Sequence, residues 1–273
     1  MSSSSADRQL EHAFIKRGTG ASSLFTKLLF SISRIADVPL QYQILAHGLG
    51  HPIITALGSQ PLGLPHPSAA SPGSALTSFL GLSPYRSVLL GMSIVTMVKQ
   101  VNWLVRISKE DIGVGGALGV GAFNMFTSSL NTLIFSAAAT SVITTPADEW
   151  DLSSSPQLLV GAAIFAIGIA LEWISEEQRK VFKDDPRNKG KVYSGGLFGW
   201  ARHINFGGFV LWRTGFAIAA GGWWFGAAVA TVFAWSFATS AIPELDDYCL
   251  NRYQAQWMEY KRKVPHKLIP FIY

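Results

Sequence analysis

The stretch from Ile112 to Ile143 contains no charged side chain and most constrains the fold of this chain. A membrane helix needs roughly 20 apolar residues to cross a bilayer, so this stretch is longer than one straight span requires. It therefore predicts a membrane helix that tilts or breaks. Further apolar stretches at residues 85–105 and 158–174 are each long enough to approach or complete a crossing. The sequence thus predicts an all-α polytopic membrane protein.

The composition supports a membrane protein and excludes several function classes. Charged residues make up 14% of the 273 residues and hydrophobic residues 49%, whereas soluble domains carry about 25% charged residues. The net charge of +5 is modest, and we attribute it to basic loops rather than to nucleic-acid binding. The single cysteine, Cys249, rules out an intrachain disulfide and a multi-cysteine metal site. The polar start at Met1 predicts no secretory signal peptide.

The apolar and polar segments together predict about six transmembrane helices in one domain. Residues 1–20 are polar, residues 22–35 suggest an interfacial amphipathic helix, and residues 59–84 suggest a loop. The expected spans are residues 39–57, 85–105, 112–143 and 158–174, followed by an apolar hairpin of residues 209–220 and 223–242 about Gly221 and Gly222. We expect an N-terminal segment of residues 1–38 and a membrane domain of residues 39–273, with its cofactor-binding part at residues 172–273 and an amphipathic tail.

The distribution of lysine and arginine predicts the orientation of these helices. The first 35 residues, the loops at 106–111 and 175–203, and the C-terminal tail carry the excess of basic residues, whereas the loops at 59–84 and 144–156 do not. Basic residues concentrate on the cytosolic side of membrane proteins. The basic loops and both termini are therefore predicted to be cytosolic.

Two groups of side chains within these segments have two interpretations each, and a third group has one. His47 and His51 have metal-ligand spacing for one helix, but no acidic residue is nearby, and we favour structural histidines and no metal site. Lys99 lies near the end of a predicted span, where it either reaches the interface or faces the helix bundle. Gly115, Gly116, Gly119 and Gly121 are expected to allow close helix contact.

A basic loop follows the apolar stretch that ends at Ile174. Arg179 and Lys183 are four residues apart, so a helical continuation would place both cations on one face. Lys191 and Arg202 add further cations. Arginine and lysine suit the phosphates of a dinucleotide. On charge alone, however, we favour a basic cytosolic loop that is attracted to anionic lipid headgroups. A glycine-rich Rossmann fingerprint is absent from the sequence.

Four motifs in the second half of the chain form a familiar set. The first contains Glu176, Gln178, Arg179, Phe182 and Lys183; the second Asp185, Pro186, Asn188, Lys189 and Gly190; the third Gly196, Leu197, Phe198, Arg202, His203 and Asn205. The fourth is the ending at residues 257–273. Together they resemble the membrane superfamily of steroid 5α-reductase-like proteins, sterol reductases and isoprenylcysteine carboxyl methyltransferases, most of all a reductase-like subfamily. The Lys99–Gln100 and Ser129–Asn131 regions are also similar to it.

This resemblance implies a cofactor and a reaction. It implies NADPH in a cytosol-facing pocket, hydride transfer to an activated C=C bond of a lipophilic steroid-, sterol- or terpenoid-like substrate, and a location in the endoplasmic reticulum membrane. The cofactor-binding residues it implies are Gln178, Arg179, Lys183, Lys191, Arg202, His203, Asn205, Tyr248, Arg252 and Tyr253. Hydride transfer is followed by protonation, which needs an acid protected from water. The candidates for this acid are Glu172, His203 and Lys99. Partners other than the bilayer and the substrate are not implied.

Some positions depart from the family pattern and keep other functions open. Phe209 stands where the family has an acid, Gly207 stands where it has a phenylalanine, and Arg213 stands where an aromatic residue is usual. Glu244 lies in a region where the family often has an arginine. These changes concern the nicotinamide side of the expected pocket. A cofactor-free isomerase or cyclase, an S-adenosylmethionine-dependent methyltransferase and a lipid-binding scaffold therefore remain alternatives.

Overall fold

The computed structural model describes residues 23–65, 79–109 and 111–273 of the chain. The predicted polar segment at residues 1–20 lies outside these ranges, and the predicted loop at 59–84 is described only at its two ends. The described residues form helices and irregular segments, with one isolated β-bridge between Pro61 and Ala137. The all-α class is therefore confirmed for them. The chain divides into two compact units, Met1–Ala139 and Thr140–Tyr273.

Each unit contains four α-helices among its described residues. The helices of the first unit are α1 (Leu24–His47), α2 (His51–Ala56), α3 (Pro84–Asn102, continued by a π-helix at Trp103–Ile107) and α4 (Gly113–Ser136). Those of the second are α5 (Pro156–Asp184), α6 (Ile204–Ser236, continued by a π-helix at Phe237–Ala241), α7 (Ile242–Tyr253) and α8 (Ala255–Lys263). Short 3₁₀ turns lie at Pro146–Glu149, Leu152–Ser154, Pro186–Asn188 and Gly196–Gly199.

Three helical stretches are long and apolar enough to cross a membrane. They are Pro84–Ile107, Pro156–Asp184 and Ile204–Tyr253. The first two coincide with spans expected at 85–105 and 158–174, which supports membrane embedding. The expected total of six spans is not confirmed, because α1 and α4, each 24 residues long, are not among these three stretches.

Helix α1 corrects the predicted boundary near Pro39. The expected interfacial helix at 22–35 and the start of the expected span at 39–57 form one helix, which passes through Pro39 and ends at Gly48. A proline inside a helix removes one backbone hydrogen bond. Buried polar contacts on both sides of Pro39 hold the helix together, since Asp37 binds Arg34 before the proline and Gln41 after it.

The two histidines of the first unit lie on different helices. Gly48 has a left-handed φ of 68° and ends α1 directly after His47, whereas His51 begins α2. The imidazole of His51 lies so close to Gly48 that a Cβ there would meet it at 2.6 Å. The assumption that both histidines share one helix was therefore wrong.

Helices α1 and α4 of the first unit run parallel. Gly121 of α4 lies against Ser33 of α1, and Ser129 of α4 contacts Gln41 of α1, so both contacts join residues 88 positions apart. A Cβ at Gly121 would meet the Ser33 hydroxyl oxygen at 2.5 Å. The expected close contact is thus confirmed at Gly121, whereas Gly115 and Gly119 have no neighbour within 4 Å.

Four glycines bring α5 and the first part of α6 into backbone contact. A Cβ at Gly161 would lie 2.6 Å from the carbonyl oxygen of Gly215, and one at Gly208 would lie 2.7 Å from that of Gly168. The contacts pair an early glycine of α5 with a late one of α6, so the two helices are antiparallel. Small residues permit such approach between membrane helices. The crossing holds the buried face of α5 against α6.

Helix α6 reverses direction at Gly222, as the sequence predicts for the hairpin about Gly221 and Gly222. The backbone of Gly222 is not helical, with φ 81° and ψ −170°, a region open mainly to glycine. A Cβ at Gly226 would lie 2.2 Å from the Ile218 side chain. The rings of Phe209 and Phe233 lie 5.3 Å apart. These contacts join residues on opposite sides of Gly222 and define two antiparallel arms.

Candidate functional site

Glu172 and Glu176 lie four residues apart, so their buried carboxylates share one face of α5. This face packs against α6. The indole Nε1 of Trp212 donates a 2.6 Å hydrogen bond to Oε2 of Glu172. The amide of Asn205 donates a 2.7 Å hydrogen bond to Oε1 of Glu176, and Arg179 pairs with its other oxygen. Asn205 and Arg179, both predicted cofactor-binding residues, thus meet on one carboxylate.

A cluster of cations and tyrosines lies where the end of α5 meets α7. The ammonium of Lys183 donates to the Tyr253 hydroxyl at 3.1 Å and lies 4.8 Å from the centre of that ring. Arg252 lies 5.6 Å from the same ring and donates to the Tyr248 hydroxyl at 2.6 Å. Lys183 also donates to the backbone carbonyl of Lys191. The structure therefore brings together these five residues, all predicted from the resemblance.

Gln178 fixes the turn that leads from the basic loop towards α6. Its side-chain oxygen accepts a 2.9 Å hydrogen bond from the backbone N–H of Leu197. A Cβ at Gly196 would lie 2.3 Å from that oxygen, and Gly196 has a positive φ of 54°. Glycine is required here both by space and by conformation. Gln178 thus shapes the loop in addition to any role towards a ligand.

Arg202 holds the C-terminal tail. Its guanidinium Nη1 donates to the carbonyl oxygens of Val264 at 2.6 Å and Pro265 at 3.0 Å, and its backbone N–H donates to His266. Its Nε is buried and has no hydrogen-bond partner among the described residues. Burial lowers the pKa of this guanidinium, an effect opposed by the charge of Asp246. Arg202 therefore anchors the tail and leaves one donor for another group.

His203 is buried between aromatic rings. Its imidazole stacks on Phe206 with centres 5.7 Å apart and lies 6.5 Å from Trp257. Burial, assisted by the nearby charge of Arg202, lowers the pKa of His203 to about 4. The imidazole is therefore neutral at pH 7. Its buried Nε2 has no hydrogen-bond partner within the described parts of the chain.

Comparison with known proteins decides the family. The family model described as "Protein of unknown function (DUF1295)" matches residues 120–264, which is more than half of the chain. The chain belongs to this family. The family lies in the steroid reductase-like superfamily, and the match spans α5 to α8, from which the carboxylates, the cation–tyrosine cluster and the tail contacts are built.

Two relatives carry the similarity beyond the family. This DUF1295 member is 39% identical over 239 residues to "Probable O-methyltransferase ustE" of Ustilaginoidea virens, which covers 88% of this chain and 83% of that protein. It is also 23% identical over 133 residues to "Delta(14)-sterol reductase" of Arabidopsis thaliana, which covers 43% of this chain and 35% of that protein. The resemblance to sterol reductases is thus confirmed as distant homology.

Several contacts of this DUF1295 member join positions that sequence reasoning did not single out as a site. Asp246 of α7 accepts 2.8 Å and 2.9 Å hydrogen bonds from Trp257 and Lys261 of α8. The Tyr260 hydroxyl donates to the backbone carbonyl of Phe198 at 2.7 Å, and burial raises the pKa of Tyr260. The motif at residues 257–273 contains the aromatic residues Trp257 and Tyr260, which are the sequence signal for these contacts. No local spacing reveals these distant partners.

The residues of this DUF1295 member that differ from the family pattern are packed in apolar and aromatic surroundings. The Phe209 ring lies 5.0 Å from Trp212 and 5.4 Å from Phe237. The guanidinium of Arg213 lies over Trp212 at 4.3 Å and near Phe209 at 5.1 Å. At Gly207 a Cβ would lie 2.3 Å from the Leu268 carbonyl oxygen, so the tail occupies space that the family phenylalanine would need.

Lys99 belongs to the first unit, whereas the site residues described above belong to the second. It is on α3 and only 5% exposed. Of the two positions considered for it, the structure therefore favours the one that faces the helix bundle. Glu172 and His203 belong to the second unit. The described residues contain no group of three or more His, Cys, Asp or Glu side chains that could hold a metal ion.

Proposed function

We propose that this protein is a membrane-embedded, NADPH-dependent reductase of a C=C bond in a lipophilic steroid-, sterol- or terpenoid-like substrate. The observation that carries the proposal is the cation–tyrosine cluster of Lys183, Arg252, Tyr248 and Tyr253. Distant homology to a protein named as a sterol reductase supports the same class of reaction.

The cluster suits a phosphorylated dinucleotide. Lys183 and Arg252 place two cations around one tyrosine ring, and phosphate oxygens accept strong charge-assisted hydrogen bonds from such groups. Their present acceptors are hydroxyl and carbonyl oxygens, which are neutral. A phosphate would replace these neutral acceptors with charged ones. Lys183 and Arg252 would therefore hold the phosphates.

Two buried nitrogen atoms provide an independent test of fit. Arg202 Nε and His203 Nε2 have no hydrogen-bond partner in the described parts of the chain, and a buried polar atom without a partner is costly. An amide or ribose group of a bound cofactor would satisfy both atoms. When bound, NADPH supplies a hydride. Asn205 would orient the Glu176 carboxylate, to which it donates a hydrogen bond.

The remaining proton would come from one of the buried groups. Because His203 is neutral at pH 7, its imidazolium form is scarce there, and we assign His203 to binding through Nε2. Glu172, held by the Trp212 indole, is our first candidate for the proton donor. The family resemblance also keeps Lys99 as a candidate.

Binding and turnover with the purified protein test this proposal. NADPH should bind and be consumed with a panel of lipophilic enones, and NADH should bind at least ten-fold more weakly if the cations hold the 2′-phosphate. Lys183→Ala and Arg252→Ala should remove this preference. The control Lys263→Ala changes an exposed lysine that pairs with Glu259 on α8. Absence of NADPH binding and of consumption with every enone would overturn the proposal.

A methyltransferase is the second candidate, because the relative at 39% identity is named as a probable O-methyltransferase. S-adenosylmethionine carries a sulfonium and one carboxylate but no phosphate, so it offers the Lys183–Arg252 pair a single anionic group where NADPH offers several phosphates. Transfer of a labelled methyl group from S-adenosylmethionine, together with no response to NADPH, would favour this candidate. Turnover without either cofactor would instead favour an isomerase or cyclase.

A further inference from the structure

The outer face of α1 is apolar over most of the helix. It consists of Phe25, Leu28, Ile32, Ile35 and Pro39, which follow one another at steps of three and four residues and so share one side. All five are exposed, and Leu28, Ile32 and Ile35 are each more than half exposed. An apolar surface of this extent marks contact with a membrane or with another protein.

The charged side chains of α1 that lie between Leu28 and Ala46 are on the opposite side. They are Arg34 and Asp37, which are fully buried and pair with each other at 3.0 Å. Gln41, also fully buried, donates a 2.7 Å hydrogen bond to Asp37. The helix therefore has a polar side towards its neighbours and an apolar side towards the exterior, the reverse of a surface helix in a water-soluble protein.

Helix α3 gives the scale for the length of this face, because it belongs to the stretch Pro84–Ile107 that can cross a membrane. Near one end of this stretch, Nη1 of Arg86 donates to the carbonyl oxygen of Leu45 at 2.6 Å. Near the other end, the Lys27 ammonium lies 3.5 Å from the carbonyl oxygen of Val105. Helix α1 is therefore antiparallel to this stretch and lies beside almost all of it.

The matching segment of α1 has the length of one crossing. From Lys27 to Leu45 the helix rises by roughly 27 Å at about 1.5 Å per residue, and the hydrocarbon core of a bilayer is roughly 30 Å thick. Phe30 and Leu104 share a buried apolar cluster, which supports the same register. If the stretch that contains α3 crosses the bilayer, α1 must cross between the same two levels.

An interfacial helix, as the sequence suggests for residues 22–35, fits these contacts less well. Such a helix lies in the plane of the membrane surface and turns its polar side to water. The polar side of α1 is covered by α4 instead, since Gln41 contacts both Ser129 and Thr132 of that helix. The side that an interfacial helix would turn to water is therefore buried against a neighbouring helix.

We propose that α1 crosses the bilayer once, between Lys27 and Leu45, with its outer face against the lipid acyl chains. The Arg34–Asp37 pair then lies near the middle of the bilayer on the inward side of the helix, where ionisable groups of membrane proteins pair with one another. One crossing thus replaces two segments that the sequence alone separates at Pro39. The proposal goes beyond the proposed function, since it requires neither nucleotide nor substrate.

The depths of spin labels in the full chain test this proposal. Cys249 is the sole cysteine, so Cys249→Ser gives a background for Leu28→Cys, Ile35→Cys and Gln43→Cys, at three exposed positions of α1. In phosphatidylcholine liposomes, the collision rates of each nitroxide with oxygen and with a water-soluble nickel chelate report its depth. We expect Ile35→Cys to lie roughly 10 Å deeper than Leu28→Cys, because the helix rises by about 1.5 Å per residue between them. Gln43→Cys should be shallow again.

Lys263→Cys is the control for water exposure, because Lys263 is an exposed lysine on α8 that pairs with Glu259. Its label should collide mainly with the nickel chelate. Equal, shallow depths at Leu28→Cys and Ile35→Cys would show an interfacial helix and overturn the proposal. Weak collisions with both reagents at Ile35→Cys, together with dipolar broadening between labels, would show that a second copy covers this face, and would also overturn it.

The wild-type protein gives a second measurement that needs no substitution. A phospholipid with a diazirine at the end of one acyl chain reacts near the middle of the bilayer when it is illuminated. Peptide mapping should then place adducts on Ile32 or Ile35 rather than on Gln43, which is also exposed. Absence of adducts from residues 28–39 would overturn the proposal even if a variant failed to fold.

Discussion

The Asn205 amide donates a 2.7 Å hydrogen bond to the buried carboxylate of Glu176, and so ties the start of α6 to α5. The two residues are 29 positions apart. Arg179 binds the other oxygen of the same carboxylate. Glu176 is therefore a charged group whose burial depends on two partners, and replacing either partner should have a measurable cost.

Asn205→Asp should destabilise the protein, because it places a second carboxylate beside Glu176. We expect a loss of about 1–3 kcal/mol, larger at pH 8 than at pH 5, where proton uptake relieves the repulsion. Thermal unfolding in detergent at both pH values measures this. Asn251→Asp, at an exposed position on α7, is the control. Equal unfolding temperatures for the two variants would contradict the buried contact.

Gly208→Ala should disrupt the crossing of α5 and α6. A methyl group there would lie 2.6 Å from the backbone nitrogen of Glu172, which cannot rotate away. Overpacking of this kind costs about 1–3 kcal/mol. Unfolding temperature and the monodisperse fraction on size exclusion report it. Gly119→Ala, with no neighbour within 4 Å, should be neutral or stabilising, and a similar loss in both variants would argue against the crossing.

His203 should make the stability depend on pH. Its pKa falls from 6.5 to about 4 on folding, so stability is complete above pH 6.5 and declines as the pH falls towards 4. In that window the unfolded chain binds a proton that the folded protein does not. The loss is on the order of 3 kcal/mol. His203→Asn should flatten the profile between pH 6.5 and 4, whereas His47→Asn, at an exposed position, should not.

Gly207→Ala should loosen the C-terminal tail. The added methyl group would meet the Leu268 carbonyl oxygen at 2.3 Å, and the tail is the partner able to move. We expect faster protease cleavage within residues 264–273 and faster hydrogen exchange there. Gly199→Ala, whose nearest neighbour would lie at 3.5 Å, serves as the comparison. Unchanged cleavage in Gly207→Ala would show that the tail does not rest on this glycine.

The sequence predicted those features that depend on local composition. Apolar stretches predicted the spans at Pro84–Ile107 and Pro156–Asp184, and adjacent glycines predicted the reversal at Gly222. The family resemblance predicted that Lys183 and Tyr253 belong to one site, and the Lys183 ammonium lies 3.1 Å from the Tyr253 hydroxyl. In each case the signal lay within a short segment or within a family pattern.

Contacts between distant segments could not be predicted in the same way. The bonds from Arg202 to the carbonyls of Val264 and Pro265 depend on where the tail folds back, which no spacing encodes. The continuity of α1 through Pro39 depends on the pairing of Asp37 with both Arg34 and Gln41. A proline normally argues for a boundary, and here three-dimensional packing outweighed it.

The reversal at Gly222 also has a consequence for the number of times that this run would cross a membrane. As one straight helix, the run Ile204–Tyr253 would be roughly 75 Å long, more than twice the hydrocarbon thickness of a bilayer. Folded into two arms that each crossed the bilayer, it would return to the leaflet from which it started. The loop before Ile204 and the helix after Tyr253 would then share one compartment, and a soluble nucleotide could reach both without crossing the lipid.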